Sequence, residues 1–160
     1  MLAVVRVSGL AGCLGLLPFN PQRLNAGRVA DQIKQFAVKV ENLSNAVVSD
    51  CVNGVAFKVD ERSPVDTGHF RANWQLGVGA MPTGQIAGVD PSGAGLGNRV
   101  TARIPADAAG KVYYLTNNLP YAQRLEHGYS KQAPQGIVGR TVLEWQGIVD
   151  KAVLAARGAA

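Results

Sequence analysis

The apolar residues between Arg28 and Val59 follow the period of an α-helix. Steps of three and four residues place them on one stripe of a helix: Val29, Ile33, Phe36, Val40, Leu43, Val47, Cys51, Val55 and Val59. Gly54 is the weak point, where a kink or an end is expected, because glycine inside a helix costs about 1 kcal/mol. Ser63-Pro64 should stop the helix, since the residue before a proline is disfavoured in helical conformation.

The C-terminal part of the chain predicts two more helices. Pro134 to Arg157 reads as one long helix with an apolar stripe at Val138, Val142, Trp145, Val149 and Val153. Pro120 to Glu126 reads as a short helix, with Pro120 at its start and Gly128 just past its end.

Strand patterns occupy the middle of the chain. Phe70 to Val78 alternates apolar and polar residues, and Lys111 to Thr116 is rich in aromatic and β-branched residues. Residues 77–110 hold eight of the nineteen glycines, which predicts a long flap with a short element around Arg99 to Ile104. Within it we expect residues 80–105 to be mobile in a free protomer and covered by a neighbour in an assembly, because apolar residues would otherwise lie in water.

These elements predict an α+β fold, with two long helices packed on a small, mostly antiparallel sheet and a long glycine-rich flap. Residues 28–157 would form a single domain, and residues 1–27 an N-terminal extension. A chain of 160 residues with 47% apolar and 17% charged residues suits one globular domain. The net charge of +5 comes from basic residues scattered singly, which disfavours nucleic-acid binding as the main role.

Two cysteines, Cys13 and Cys51, form neither a disulfide framework nor a metal-binding pattern. Leu10-Ala11-Gly12-Cys13 resembles a lipoprotein cleavage box, so a lipid-anchored exported protein is one alternative. The apolar stretch between Arg6 and this box is shorter than the 7–15 residues that export requires. We therefore expect an extension that orders against a neighbour, or an overlong gene-start assignment, and no membrane association.

Asp66-Thr67-Gly68 has the form of an aspartic-protease signature, whose two aspartates share one proton. The chain carries one copy, so a homodimeric protease is a second alternative. Asp and Gly also favour turns, and a turn in which Asp66 caps the backbone is the preferred interpretation. The histidines, His69 and His127, accompany no nucleophile elbow and no metal-ligand spacing. No catalytic residue, cofactor or metal is expected, and the chain is not predicted to be an enzyme.

Two segments resemble one family. Residues 63–74 (SPVDTGHFRANW) resemble the SPVDTGxxRxxW segment of the tailed-bacteriophage neck family, which groups head–tail connector, minor tail protein Z-like and tail-completion proteins. Residues 114–134, completed by Gly136, resemble its TNxxPYAxxxExGxSxQAPxG segment. Together with the leading helix, the resemblance covers residues 28–155.

The resemblance implies a structural virion protein at the head–tail junction or the top of the tail, assembled in the host cytoplasm. It implies a homo-oligomeric ring, a hexamer or dodecamer, that joins the portal or adaptor side to the tail. Neighbours would be connector, tail terminator or tail tube proteins, close to packaged DNA. Within the ring, Arg71 and Glu126 could pair within or between subunits. The motif positions expected to be structural or to lie at interfaces are Asp66, Thr67, Gly68, Arg71, Trp74, Asn117, Asn118, Pro120, Tyr121, Glu126, Gly128 and Tyr129.

Overall fold

A computed structural model describes residues 26–158 of the protein. The elements in chain order are α1 (Ala26–Arg62), α2 (His69–Ala72), β1 (Trp74–Val78), α3 (Ala94–Arg103), β2 (Tyr113–Asn117), α4 (Ala122–Glu126), α5 (Val138–Leu143) and α6 (Trp145–Gly158). Helices pack on a two-stranded antiparallel sheet, so the predicted α+β class is confirmed. The predicted extension, except for its last two residues, lies outside the described residues.

Helix α1 is continuous over 37 residues and passes through Gly54. The expected end at this glycine is wrong, and packing explains why. A Cβ atom at position 54 would lie 2.7 Å from Cγ2 of Ile148, so the missing side chain lets α6 approach α1 closely. The helix ends at Arg62, before Ser63-Pro64, as the sequence predicts. There the Ser63 hydroxyl donates a hydrogen bond to the Val59 carbonyl.

Only the C-terminal half of α1 belongs to the core. Cys51, Ala56 and Val59 are buried, whereas every residue from 27 to 42 is exposed. We call residues 27–42 the arm. The predicted apolar stripe is therefore continuous in sequence but covered along only part of its length.

The two strands pair antiparallel, with Trp74 opposite Asn117 and Val78 opposite Tyr113. The predicted first strand began at Phe70, and this start is wrong. Gly68 has φ +85°, and its carbonyl accepts a hydrogen bond from the Ala72 N–H, which winds residues 69–72 into the short helix α2. Phe70 is buried by this turn, its ring edge-on to Trp74 with 5.8 Å between the centroids.

Helix α3 occupies part of the predicted flap, and it starts within the glycine-rich stretch 93–97. Leu96 and Val100 are 1% and 0% exposed and belong to the core. Asp90 caps this helix by accepting hydrogen bonds from the N–H groups of Gly93 and Gly95. Partial burial works to raise the pKa of Asp90, but hydrogen bonds from Gly95, Ser92 and Gly93 outweigh it and lower the pKa below its ordinary value. The predicted short element around Arg99 to Ile104 is therefore a helix that begins earlier, at Ala94, and ends at Arg103.

The remaining loop, residues 79–93, is anchored by side chains. Asn73 is fully buried; its Nδ2 donates to the carbonyls of His69 and Ile86, and its Oδ1 accepts from the Ile86 N–H. His69 Nδ1 lies 3.0 Å from the Gly88 carbonyl oxygen. Met81 and Val89 of this loop are exposed. The expected mobility of residues 80–105 stays a prediction, but its apolar rationale fails for Leu96 and Val100, which α3 buries.

The predicted C-terminal helix is divided in two. Helix α5 begins at Val138 and ends before Glu144, and α6 follows at once. The buried positions are Thr141, Ile148, Ala152 and Ala156, rather than the predicted valine stripe. Small side chains allow a close approach to α1, and the order of contacts shows that α6 runs antiparallel to it. Arg62 binds Glu144 at one end, and at the other end Ala156 lines a groove together with α1 residues between Lys34 and Ala46.

Candidate interaction surface

The fold joins the two motif segments directly. The Val65 N–H donates to Oε1 of Gln132 at 2.8 Å, and Nε2 of Gln132 donates to the Val65 carbonyl at 2.9 Å. One amide side chain therefore binds both polar groups of one backbone residue, as a neighbouring strand would. Gln132 was not among the predicted site residues, although it lies within the second segment.

The sheet supplies a second connection between the segments. Trp74 at the start of β1 faces Asn117 at the end of β2. Nδ2 of Asn117 donates to the Phe70 carbonyl at 2.9 Å, and Nε1 of Trp74 donates to Oγ of Ser63 at 2.9 Å. The tryptophan is buried with its polar nitrogen satisfied, so it serves the fold rather than a surface.

The Asp66-Thr67-Gly68 turn is capped by the threonine. Oγ1 of Thr67 accepts a hydrogen bond from the His69 N–H at 3.3 Å. The exposed carboxylate of Asp66 has no hydrogen-bonding partner in residues 26–158. The expectation that Asp66 caps the backbone is therefore wrong, because the next residue supplies the acceptor. A Cβ at Gly68 would lie 2.4 Å from the Pro91 nitrogen, so the turn also packs against the loop that precedes α3.

We expect Asp66→Asn to leave the free energy of unfolding within about 0.5 kcal/mol of the parent, as for a surface substitution without partners. Thr67→Ala should cost about 0.5–2 kcal/mol, because it removes the hydroxyl that accepts from His69. Urea denaturation of the two variants measures both values. Peptide hydrolysis by the folded parent that disappears in Asp66→Asn would establish the protease alternative.

Arg71 holds α2 to the end of α1. Its Nε and Nη2 donate to the Asp60 carbonyl at 3.2 and 3.0 Å, and its Nη1 donates to the Pro91 carbonyl at 3.2 Å. Nε also lies 3.5 Å from Oδ1 of Asp60. Burial raises the pKa of Asp60 above its ordinary value, and the Arg71 guanidinium offsets only part of that effect. The suggested ion pair between Arg71 and Glu126 does not form within this chain.

Glu126 is instead the acceptor for the start of α5. Its carboxylate receives hydrogen bonds from the N–H groups of Ile137, Val138 and Gly139 at 3.0, 2.8 and 2.8 Å. These groups lack partners within α5, because the first N–H groups of a helix point away from it. A negative charge at this end also interacts favourably with the helix dipole. The role of Glu126 in this fold is thus to connect α4 to α5.

Glycines at 128 and 136 make that connection possible. Gly128 has φ +78°, and a Cβ there would lie 2.4 Å from the Pro134 carbonyl oxygen. Gly136 has φ +79°, and a Cβ there would lie 2.4 Å from the Glu126 carbonyl oxygen. Both positions combine a left-handed backbone with close backbone approach, which only glycine tolerates without strain.

Asn118 connects the second segment to the loop before α3. Its Nδ2 donates to the carbonyls of Pro82 and Gly84 at 3.0 and 2.9 Å. The first segment reaches the same loop through Asn73, which the sequence reasoning did not single out. Asn73 lies inside SPVDTGHFRANW at a polar position of the alternating pattern, so the sequence pattern did not indicate that it would be buried.

Some motif residues remain at the surface. Tyr121 is 39% exposed with its ring 6.2 Å from that of Phe70, and Tyr129 is 74% exposed with Arg124 stacked 4.3 Å above its ring. Aromatic side chains held this way are typical anchors of protein interfaces. We call the exposed motif residues the motif surface: Asp66, Thr67, Pro120, Tyr121 and Tyr129.

The described part of the chain holds no group of three or more His, Cys, Asp or Glu side chains able to bind a metal ion. Over the same residues, no helix has the length and apolar character needed to cross a membrane. Cys51 is a buried free thiol, and burial raises its pKa. Cys13 lies outside the described residues, so the lipoprotein alternative stays untested. The chain matches no family model, no curated protein and no solved structure.

Proposed function

We propose that this chain is a structural virion protein of a tailed bacteriophage, part of the ring that connects head to tail or completes the tail. The observation that supports the proposal is the joining of the two family-like segments into one unit. They are 40 residues apart in sequence, and the fold links them through Gln132, through Asn117 and through the β1–β2 pair. Segments that carry one shared structural role are expected to meet in this way.

The motif residues divide into two groups by role. The first group fixes the backbone, either through side-chain hydrogen bonds or, at the two glycines, through left-handed conformation and close packing. Its members are Gly68, Arg71, Trp74, Asn117, Asn118, Glu126 and Gly128. The second group, the motif surface, is presented to solvent on this fixed frame. A ring requires two different faces that meet head to tail, with a rotation that closes. A rigid frame that presents aromatic anchors suits one such face, because little entropy is lost when it binds.

Tyr129 and Tyr121 provide a test of the motif surface. The variant Tyr121→Ser/Tyr129→Ser should associate with its ring neighbours about thirtyfold more weakly, the loss of about 2 kcal/mol that marks an interface hot spot. The expected readout is loss of the protein from purified tailed particles, quantified by mass spectrometry, in cells that carry the remaining phage genes.

Leu143→Ser is the matched control, because Leu143 is apolar and 82% exposed but lies outside both segments. This control should enter particles at the parent level. Equal incorporation of the double tyrosine variant and the parent, with both folded, would remove the motif surface from the ring contact.

A further inference from the structure

The outer edge of strand β2 is open. Across the β1–β2 pair the Gly79 N–H donates to the Val112 carbonyl at 2.9 Å. Because bonded residues alternate along an antiparallel pair, every second residue of β2 turns its N–H and C=O groups away from β1. These outward groups have no hydrogen-bonding partner among residues 26–158, whereas on the outer side of β1 Arg103 donates to the Leu76 carbonyl. We call the outward residues the β2 edge: Tyr113, Leu115 and Asn117.

The loop before α3 has a second open edge. Alternate residues of this loop bind the fold through their backbone: Gly84, Ile86, Gly88 and Asp90. Their partners are Asn118 and the residues around α2 between Gly68 and Asn73. The residues in between turn their N–H and C=O groups to the other side, as along a strand. They are exposed, and in the described part of the chain these backbone groups have no hydrogen-bonding partner. We call them the loop edge: Gln85, Ala87 and Val89.

Neither edge carries the features that usually prevent strands from pairing. Proteins protect open edges with charged side chains, prolines or bulges. Residues 112–118 and residues 84–89 contain no charged residue and no proline. Each edge offers three outward residues, and two such edges paired as antiparallel strands can exchange about six hydrogen bonds.

We propose that the loop edge of one copy pairs with the β2 edge of the next copy, so that the loop adds a third strand to the sheet of its neighbour. A second copy is the partner because the chain carries one open edge of each kind, and the two have equal length. Two β2 edges paired about a two-fold axis would leave the loop edge open. A contact between different edges is head to tail, the kind that a ring requires. The pairing concerns copies of the chain itself and holds whether or not the proposed virion role does.

Ala87→Lys tests the pairing through self-association of the purified full-length protein. A lysine within an edge opposes strand addition, so the dissociation constant between copies should rise at least about tenfold. Ala87→Pro, which removes one N–H of the loop edge, should act in the same direction. Ala155→Lys is the matched control, because Ala155 is exposed on α6 outside both edges. Sedimentation velocity over a concentration series measures association, and circular dichroism verifies that each variant is folded.

Amide exchange resolved by residue, read by nuclear magnetic resonance of quenched samples, identifies the two edges. When copies associate, exchange should slow at the loop edge and at the β2 edge together. The Ile86 N–H is the internal reference, since it binds Oδ1 of Asn73 at 2.8 Å within one chain and should be protected in both states.

Several results would overturn the proposal. Slower exchange at the β2 edge alone would mean that two β2 edges pair, and slower exchange at the loop edge alone would mean that it binds elsewhere. Unchanged exchange at both edges, equal association of Ala87→Lys and Ala155→Lys, or a protein that stays monomeric up to about 1 mM would each contradict it as well. Tailed particles that contain the protein without protection at these edges would remove the pairing and leave the proposed virion role standing.

Discussion

Replacing Gly68 with alanine should destabilise the protein by about 3 kcal/mol or more. A left-handed backbone costs about 1–2 kcal/mol for a residue with a Cβ, and overpacking against fixed neighbours adds about 1–3 kcal/mol. Here the added atom would meet backbone, the Pro91 nitrogen at 2.4 Å and the Asp90 carbonyl carbon at 2.5 Å, neither of which can rotate away. Urea denaturation followed by circular dichroism measures the loss.

Gly79→Ala separates the two causes. Gly79 has φ +75°, close to that of Gly68, but a Cβ there would have no heavy atom within 4 Å. Only the backbone strain applies, and the expected loss is about 1 kcal/mol. Equal losses for the two variants would mean that the contact between Gly68 and the loop before α3 does not constrain the fold.

Glu126→Ala should cost about 2–3 kcal/mol, because it leaves three N–H groups at the start of α5 without their acceptor. Ile137, the first of these residues, is 1% exposed, so water cannot readily replace the carboxylate there. Amide exchange at residues 137–139 should rise in the variant, in addition to the fall in stability. Glu126→Gln should lose less, because the amide oxygen can still accept from part of this group.

Glu144→Ala is the control for charge. Glu144 accepts a hydrogen bond from Arg62 at 2.6 Å, but its side chain is exposed and its ion pair is screened by water. Its removal should be much less damaging than the removal of Glu126. If the two variants lose the same stability, the cap of α5 is not what makes Glu126 important.

The sequence predicts the elements whose apolar residues recur at a regular spacing. It does not predict the bounds of elements that depend on backbone geometry and packing. Helix α1, the second strand and the short helix before Gly128 follow from spacing and from proline and glycine signals. Of helix α3 only a short element around Arg99 to Ile104 was predicted, because three of the five residues at its start, 93–97, are glycines, and their composition resembles a loop. Burial of Leu96 and Val100 in the core compensates for the low helix propensity of these glycines. Helix α3 is therefore stabilised by tertiary packing, which the spacing of apolar residues in the sequence does not reveal.

For the motif residues, too, the sequence does not predict which groups they bind. The motif residues were found because they lie in two recognisable segments, but their roles depend on partners far away in sequence. Thr67 rather than Asp66 caps the turn, since the acceptor must stand at the correct distance from the His69 N–H. Arg71 and Glu126, which have opposite charges, bind backbone groups of α1 and α5 instead of each other. Charge and residue type alone do not indicate which groups Arg71 and Glu126 bind.

We propose above that this protein forms part of a tailed bacteriophage particle. The direct measurement is electron microscopy of tailed particles produced from the genome that encodes the chain, decorated with an antibody to the protein. The proposal predicts label at the head–tail junction or the top of the tail, with several copies around the tail axis. Particles that lack the protein, or label only on a soluble dimer outside them, would contradict it.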